Sequence, residues 1–285
     1  MIEFEYLNNN QCAVSGLEFD VIRENFSVEN KAAKFQRHGR SRFIKDRIYA
    51  ITPKGKMDVG LIGEVIRYCK QHSIDWEIKS KTLKIFRPDL PSPKRDYKLK
   101  IELRDYQQEI VDKCISAGRG TVVLATAGGK TLTMASLLEY YYQNANKFFK
   151  CLIIVPDLGL VNQTHEDFND YETGFSHSIW SGNNELNNNT NIVIANMGIL
   201  QSEKSDIKWL NDIDILIVDE THKLRKDNKI NKIIKSIQTP HKFGFTGTLP
   251  DEPLDMWNIF GKIGPKLYER KAYELRKDNY VTPAK

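Results

Sequence analysis

The chain has 285 residues, of which 28% are charged and 40% hydrophobic, and this ordinary balance excludes a disordered or fibrous protein. No apolar run approaches the roughly 18 residues that a membrane span needs, and the N-terminus lacks the basic-then-apolar order of a signal peptide. The four cysteines are far apart and lie mostly among apolar neighbours, which predicts buried, reduced thiols, a cytoplasmic protein and no zinc site.

Positive charge is concentrated at the front of the chain. Residues 1–100 contain 20 Lys and Arg against 13 Asp and Glu, a balance of +7, whereas the remainder contains 22 against 24, a balance of −2. A dense part of the excess lies between Lys31 and Lys56, interleaved with aromatic residues. Unpaired charges are not buried, so this segment predicts an exposed basic surface. Such a surface is either merely solvated or binds phosphate groups.

Residues 1–86 are predicted to form a small α+β domain. Alternating apolar and acidic residues over 2–7 predict a strand, and the asparagines that follow predict a turn. The further predicted elements are a strand over 11–15, a helix over 17–26, a strand over 43–51, a helix over 59–72 and one or two strands over 76–86. Three prolines between residues 88 and 93 favour an extended tether, so residues 87–100 are predicted to be a linker.

From residue 101 to residue 285 strands and helices alternate. The predicted helices cover 104–117, 131–143, 157–170 and 229–237, and the predicted strands cover 120–125, 150–155, 192–195, 213–218 and 241–245. This alternation is typical of a doubly wound, parallel α/β sheet with right-handed crossovers. The Asn-rich residues 183–191 are predicted to form an exposed loop.

A turn containing two glycines follows the predicted strand 120–125. Its sequence is Ala125-Thr126-Ala127-Gly128-Gly129-Lys130-Thr131, and a helical pattern begins at once. This is the context of a phosphate-binding loop, in which backbone N–H groups and a lysine hold the phosphates. Leu124 and Ala127 stand where glycines are common, and the turn tolerates Ala127 if its φ is negative. We expect Lys130 to face solvent when no nucleotide is bound.

A second predicted strand ends in two adjacent carboxylates. The apolar run from Ile213 to Val218 is typical of a strand buried on both faces, and Asp219-Glu220-Thr221-His222 follows directly. Ligands bind at the carboxyl ends of parallel strands, where an aspartate can hold Mg²⁺ and a glutamate can orient or deprotonate an attacking water. An isolated pair of this kind would also suit a polar helix cap. Together with the upstream loop, it predicts a site of nucleotide hydrolysis.

These segments resemble the motifs of superfamily 2 DExH-box helicases. Residues 125–131 are similar to motif I, and residues 219–222 are similar to the DExH box, with Thr221 where alanine is common. The other matching segments are Arg104-Asp105-Tyr106-Gln107, Ile154-Val155-Pro156, Leu160-Val161-Asn162-Gln163, Ala195-Asn196-Met197-Gly198-Ile199-Leu200 and Phe245-Thr246-Gly247-Thr248-Leu249. They occur in the family's order over residues 101–285. More loosely, residues 39–47 and 59–69 resemble the front of phage branch-migration helicases.

The resemblance implies a RecA-like fold for residues 101–285 and gives roles to the matched residues. The residues that it implies for ATP binding are Arg104, Gln107, Thr126, Ala127, Gly128, Gly129, Lys130 and Thr131, with Gln107 reading the adenine edge. The implied catalytic residues are Lys130, Asp219, Glu220 and His222, with Thr131 and Asp219 on Mg²⁺, the latter through water, and Thr246 and Thr248 coupling hydrolysis to nucleic acid. Gln107 and His222 are also open to a purely structural interpretation.

The implied activity is ATP-dependent unwinding or branch migration of forked or junction DNA, in phage replication, recombination or repair. RNA stays open as a substrate because backbone contacts discriminate poorly. The implied nucleic-acid contacts are Pro156, Gln163 and Asn196 in the motor and Arg37, Arg40, Arg42, Lys45 and Arg47 in the basic segment. A monomer without a membrane partner is expected, in the host cytoplasm if a phage encodes it.

A second RecA-like domain with arginine fingers is expected in the full-length protein, because the matched motifs are those of a first motor domain. An arginine finger is worth ~10³–10⁵ in rate, so this chain alone is expected to hydrolyse ATP slowly. One alternative is the translocase part of a restriction-type endonuclease, with Glu77-Ile78-Lys79 as a candidate nuclease triplet, although Asp75 is too close in sequence to be its usual partner. Another is a DNA-binding module with a regulatory ATPase, against which the intact Lys130 and Glu220 argue.

Overall fold

The front of the chain folds around a four-stranded sheet. A computed structural model describes residues 1–30, 33, 46–79, 99–145, 148–202, 207–224 and 229–278. The front strands are β1 (Ile2–Tyr6), β2 (Gln11–Gly16), β3 (Ser27–Glu29), β4 (Arg47–Tyr49), β5 (Lys56–Asp58) and β6 (Trp76–Ile78). The sheet order is β5-β2-β1-β6, and β3 pairs separately with β4. Helices α1 (Phe19–Asn25) and α2 (Ile62–Gln71) complete this α+β unit.

Strand β1 shows how the predicted pattern builds this unit. Ile2 and Phe4 are fully buried, whereas Glu3 and Glu5 are not, because alternate residues of a strand face opposite sides of the sheet. The turn after β1 forms at the predicted asparagines, where Asn8 Oδ1 accepts hydrogen bonds from the N–H groups of Asn10 and Gln11. Arg37, Arg40, Arg42 and Lys45, residues 80–86 and most of the predicted linker (87–98) lie outside the described residues.

The remainder of the chain forms a seven-stranded sheet in which every strand pairing is parallel. Its strands are β7 (Gly120–Leu124), β8 (Cys151–Val155), β9 (His177–Trp180), β10 (Ile192–Asn196), β11 (Ile215–Asp219), β12 (His241–Thr246) and β13 (Lys266–Arg270), in the order β13-β7-β12-β11-β8-β10-β9. The connecting helices are α3 (Asp105–Ala117), α4 (Lys130–Asn144), α5 (Leu158–Asp170), α6 (Met197–Gln201), α7 (Lys229–Ser236), α8 (Pro253–Lys262) and α9 (Ala272–Lys277). The doubly wound α/β class is confirmed.

The central strands are buried on both faces, as their continuous apolar runs predict. Ile215 and Ile217 of β11 pack into one hydrophobic cluster, and Leu216 and Val218 pack into the other. Helices α3, α4 and α5 contribute to the first cluster, and α7 and α8 contribute to the second. This two-sided burial fixes the carboxyl ends of β7, β8, β10, β11 and β12 along one edge of the sheet, where ligands of such folds bind.

The two edge strands, β9 and β13, are absent from the sequence prediction. Strand β9 has the mixed sequence His-Ser-Ile-Trp, and β13 has Lys-Leu-Tyr-Glu-Arg. An edge strand pairs on one side only and stays partly solvated, so its sequence lacks a continuous apolar run. Helices α8 and α9 were also not predicted. Among the described residues, no helix is long and apolar enough to cross a membrane.

The front unit packs directly on the motor through buried polar contacts. Lys242 of β12 is fully buried and donates to Asn10 Oδ1 at 2.6 Å and to the Ile234 carbonyl at 2.8 Å. Arg119 donates to the carbonyls of Asn9 and Ile263 at 3.0 and 2.8 Å. Burial lowers the pKa of Lys242 well below its usual range and that of Arg119 to about 10. The Asn8–Asn10 turn therefore joins the two units, and their apolar cluster is continuous.

Stability is expected to fall in acid because of the histidine pair of β9 and α5. The Nδ1 atoms of His165 and His177 lie 2.9 Å apart. Burial is the main reason why the pKa of His177 is lowered to about 4, and the charge of the neighbouring His165 is a smaller one. An unfolded histidine titrates near 6.5, so the unfolded chain takes up this proton first as the pH falls. The free energy of unfolding should be unaffected above pH 6.5 and should decrease towards pH 4, by on the order of 2 kcal/mol after allowance for partial exposure.

Urea unfolding at several pH values checks this expectation. His177→Gln should remove the part of the decrease between pH 6.5 and pH 4 that His177 causes, whereas the part due to His241, whose pKa burial also lowers, should remain. The matched variant His72→Gln, at an exposed position at the end of α2, should keep the whole decrease. An unchanged pH dependence in His177→Gln would show that other groups are responsible.

Candidate active site

The turn between β7 and α4 has the geometry of a phosphate-binding loop. The Gly128 N–H donates to the Ala125 carbonyl at 2.9 Å, and Gly129 caps α4 with a φ of 80°. A Cβ added at Gly129 would lie 2.2 Å from Gln107 Nε2, and one at Gly128 would lie 2.7 Å from the Leu124 side chain. Glycine is therefore required at both positions. The loop places its backbone at the N-terminus of α4, where the helix dipole favours anions.

Ala127 adopts a left-handed backbone conformation. Its φ is 66°, so the condition under which the turn tolerates alanine without strain, a negative φ, is not met. The two glycines that follow it are held by hydrogen bonds from Tyr106 and Gln107 of α3 to their carbonyls. The Cβ of an L-residue is crowded in the left-handed region, at a cost of roughly 1–2 kcal/mol. The loop thus carries local strain at a residue next to the phosphate-binding glycines.

Replacing this residue with glycine is expected to stabilise the fold. Ala127→Gly removes the steric cost but adds backbone freedom to the unfolded chain, so the free energy of unfolding should increase by up to about 1 kcal/mol. Urea unfolding measures it. The matched control is Ala135→Gly, at a buried position in the middle of α4, which should decrease stability by about 1 kcal/mol. A decrease in both variants would contradict the strain at Ala127.

Gln107 packs under the loop. Only 2% of the residue is exposed; its Nε2 donates to the carbonyls of Gly128 and Gly129 at 3.2 and 3.3 Å, and its Oε1 accepts from the Arg104 N–H at 2.9 Å. Both ends of the amide are thus used within the protein. This arrangement ties α3 to the phosphate loop, and a contact of Gln107 with an adenine base stays a prediction. Arg104 donates from its guanidinium to the Tyr106 hydroxyl at 3.1 Å.

Lys130 faces the two carboxylates at the end of β11. Its Nζ forms an ion pair with Glu220 and lies 3.8 Å from Asp219 Oδ1. Only 13% of the Lys130 side chain is exposed, so the expectation that it faces solvent without a nucleotide is wrong. In the absence of phosphate, the carboxylates provide the nearest countercharge. The sheet order explains the proximity, since β11 and β7 both flank β12.

Asp219 is 7% exposed, and its environment favours a bound cation. Burial raises the pKa of the Asp219 carboxyl, and the charge of Lys130 opposes this effect. Glu220 follows in a left-handed conformation, with φ 49° and ψ 50°, and its N–H donates to Asp219 Oδ1 at 2.9 Å. This bend points the two carboxylates towards the same space. A strained residue of this kind is typical of an active site.

His222 connects the carboxylates to the end of β12. Its Nδ1 lies 3.1 Å from Glu220 Oε2 and 2.8 Å from the Thr246 hydroxyl, which in turn donates to the Thr248 carbonyl at 2.7 Å. The structure therefore brings Lys130, Glu220, His222 and Thr246 into one polar chain. A change at Glu220 can reach the loop after β12 through two side chains. Coupling of hydrolysis through this path stays a prediction.

Two of the predicted nucleic-acid contacts, Pro156 and Asn196, lie at strand ends on the same edge of the sheet. Pro156 follows β8, and Asn196 ends the adjacent strand β10, where its Oδ1 accepts from the Ile199 N–H and caps α6. Gln163 is exposed on α5. Arg47 lies apart from them in the front unit, where it pairs with Glu24 at 3.1 Å and donates to the Ser27 hydroxyl at 2.8 Å. Nucleic-acid binding by these four residues stays a prediction.

Three residues of the site were not singled out from the sequence. Tyr106 donates to the Gly128 carbonyl at 2.9 Å, and the Arg270 guanidinium lies 4.5 Å from the centre of its ring. Asp167 of α5 interacts with the hydroxyl of Thr131, whose role as a metal ligand stays a prediction. Tyr106 stands within the Arg104–Gln107 motif, which could have indicated it. The sequence around Asp167 and Arg270 gave no signal.

The residues of the candidate nuclease triplet make contacts within the front sheet. Lys79 forms an ion pair with Glu3 of β1 at 3.4 Å, and Glu77 is paired with the same residue in the parallel β1–β6 register. Asp75 lies just before β6, and its carbonyl accepts from the Ile2 N–H. These contacts hold the edge of the front sheet together.

The fold and the arrangement of this site are those of a RecA-like domain of superfamily 2 helicases. Residues 100–251 match the family model described as "Type III restriction enzyme, res subunit", so the chain belongs to that family. It is 26% identical over 284 residues to the ATP-dependent DNA helicase uvsW of Enterobacteria phage T4, a match that covers 94% of this chain and 55% of the relative. A DNA 3'-5' translocase, XPB2 of Sulfurisphaera tokodaii, is 28% identical over 62% of this chain and 37% of its own length.

The solved structures agree with the fold. The crystal structure of the UvsW helicase from bacteriophage T4 superposes with a TM-score of 0.76 at 22% identity, covering 94% of this chain and 99% of that one. Since this match covers the front unit as well as the large sheet, the whole arrangement is a known one. The chain spans about half the length, or less, of the curated relatives given above.

Proposed function

We propose that this chain is the nucleotide-hydrolysing part of an ATP-dependent DNA helicase or translocase, acting on forked or junction DNA inside the cell. The observation that carries the proposal is the cluster of Lys130, Asp219 and Glu220 at the carboxyl edge of the parallel sheet. The names of the relatives support it, since one is a DNA helicase and the other a DNA translocase. If residues 219–222 were only a polar cap of a helix, there would be no reason for Lys130, from a different strand–helix turn, to contact Asp219 and Glu220.

The residues of the site fit ATP with Mg²⁺. The backbone of Gly128 and Gly129, at the N-terminus of α4, and the ammonium group of Lys130 suit the phosphates. The buried Asp219 suits Mg²⁺, whose preferred ligands are oxygens and which would offset the cost of burying that carboxylate. When bound, the ion supplies charge neutralisation at the transferring phosphoryl group. Phosphate binding would draw Lys130 away from Glu220.

Release from Lys130 would free Glu220 to act on water. Its carboxylate then has His222 as its remaining close partner, at 3.1 Å. Glu220 would orient the attacking water and accept a proton from it, which is the general-base role for a carboxylate in such a site. His222 would report this change to Thr246 and the loop after β12 through the 2.8 Å contact. Pro156 and Asn196, on the same sheet edge, would meet the nucleic-acid backbone.

Phosphate release from Mg²⁺-ATP, measured with and without forked DNA, tests the proposal. We expect measurable hydrolysis that depends on Mg²⁺ and that DNA stimulates more than RNA of the same shape. Nucleotide binding is measured separately with a fluorescent ATP analogue. Absence of nucleotide binding would overturn the assignment of the site, and binding with hydrolysis that no nucleic acid stimulates would favour a regulatory ATPase.

A further inference from the structure

A second cavity lies between the front unit and the motor, away from the phosphate loop. Its volume is about 440 Å³, and it is lined by both units. Tyr49 of β4 and Asp58 of β5 come from the front unit, whereas α7 and α8 supply the opposite wall. The lining side chains that matter for its chemistry are Tyr49, Asp58, Lys232, Lys235, Trp257 and Lys262.

Positive charge exceeds negative charge around this cavity. Asp58 is the shared countercharge of Lys235, at 3.1 Å, and of the buried Lys262, at 3.7 Å. The buried cation Arg119 also lies within the electrostatic reach of the same carboxylate. One carboxylate thus serves several cations in a region of low solvent access, where unbalanced charge is costly. An anion in the cavity would complete the balance.

Lys232 adds an available cation at the rim. It is exposed, and no ion pair to it occurs among the residues that the structure describes. It lies one helical turn before Lys235 on α7, so the two ammonium groups lie on the same side of the helix. Two lysines spaced in this way can contact one phosphate group or two adjacent ones.

Aromatic side chains line the same cavity. Trp257 packs against Phe26 with 5.4 Å between ring centres, and the Arg23 guanidinium covers one face of Tyr49 at 3.7 Å. Both rings are therefore fixed in place from behind while they line the cavity. Rigid aromatic rings beside lysines are the combination by which proteins hold single-stranded nucleic acid, with bases stacked on the rings and phosphates on the cations.

We propose that this cavity binds an unpaired nucleotide of a DNA strand, with its phosphate on Lys232 and Lys235 and its base against Trp257. The inference rests on the proposed function as a DNA motor. It adds a second site for a DNA strand, away from the carboxyl edge of the seven-stranded sheet. The sequence favours a DNA strand over a free anion as the ligand. Strand β3 is followed in the sequence by residues 31–45, which contain six basic residues and no acidic one, and then by β4 with Tyr49. Such a basic segment suits a ligand with several phosphates.

Photocrosslinking locates the base. A single-stranded oligonucleotide that carries 5-iodouracil is irradiated with the full chain, and the crosslinked peptide is identified by mass spectrometry. We expect the crosslink at Trp257 or Tyr49. An unlabelled strand should compete, whereas inorganic phosphate at equal phosphate concentration should not. Absence of a crosslink at both Trp257 and Tyr49, or equal competition by inorganic phosphate, would overturn the strand site.

Charge reversal at the rim gives the second measurement. Lys232→Glu should weaken binding of a single-stranded tail roughly tenfold and reduce the log–log salt slope by roughly 0.7, the value for one phosphate contact on a single strand. The matched control, Lys70→Glu, changes an exposed lysine in the last turn of α2 that does not line the cavity. ATP hydrolysis without DNA should be unchanged in both variants.

The outcomes separate this inference from the proposed function. Equal affinities of Lys232→Glu and Lys70→Glu would argue against the cavity site, even if DNA-stimulated hydrolysis by the wild-type chain is observed. Conversely, a crosslink at Trp257 in a chain that does not hydrolyse ATP would keep the site and remove the motor activity.

Discussion

Lys130→Ala is expected to reduce ATP turnover by roughly 10²–10³-fold, which is the usual effect of removing one preorganised donor from a developing negative charge. Nucleotide affinity should decrease as well, because the variant lacks the ammonium group that would bind the phosphates. Among the described side chains, that group is the one cation within 4 Å of both Asp219 and Glu220. Phosphate release and titration with a fluorescent ATP analogue measure the two effects. A turnover within threefold of the wild type would contradict the assignment of the loop.

The position of Lys130 makes a stability control necessary. Its ion pair with Glu220 means that alanine leaves two carboxylates without their countercharge, so the variant is also expected to lose some stability. Lys130→Arg keeps the charge beside the carboxylates but changes the geometry that a phosphate meets. It should unfold near the wild-type urea concentration and still hydrolyse ATP slowly. Lys113→Ala, at a surface ion pair with Glu109 on α3, should change neither property.

Glu220→Gln is expected to separate binding from hydrolysis. The amide keeps the size of the side chain but cannot accept a proton from water, and the loss of a general base reduces rates by roughly 10²–10⁴-fold. The variant should retain nucleotide binding, because weakening of the Lys130–Glu220 pair leaves the ammonium group available for phosphate. The measurements are single-turnover hydrolysis and nucleotide affinity on the same preparation.

Glu172→Gln provides the matched control for this change. Glu172 is an exposed residue that pairs with Lys100 far from the carboxyl edge of the sheet, so its amide variant should hydrolyse ATP at the wild-type rate. If Glu220→Gln also hydrolysed at that rate, another group would have to act as the base. If it lost affinity and turnover in equal proportion, Glu220 would be a binding residue instead.

The sequence by itself determined the core of the fold, the phosphate-binding loop and the pair of carboxylates that faces it. Buried parallel strands need continuous apolar runs, so β7, β8, β10, β11 and β12 were predicted close to their observed bounds. A phosphate-binding loop is a local strand–turn–helix structure, so its glycines and Lys130 are visible in one short segment. Residues 219–222 are likewise local, since they follow directly on a buried strand.

Tertiary structure alone decided which charges meet. Lys130 and Glu220 are 90 residues apart, and the sheet order places them together. Ala127 is left-handed beside two glycines that pack against Gln107 and Leu124, and the local sequence does not encode this conformation. Lys242 and Asn10 are separated by 232 residues, yet their buried hydrogen bond joins the front unit to the motor. Sequence patterns report local periodicity and burial, whereas partners across such distances are chosen by packing of the whole chain.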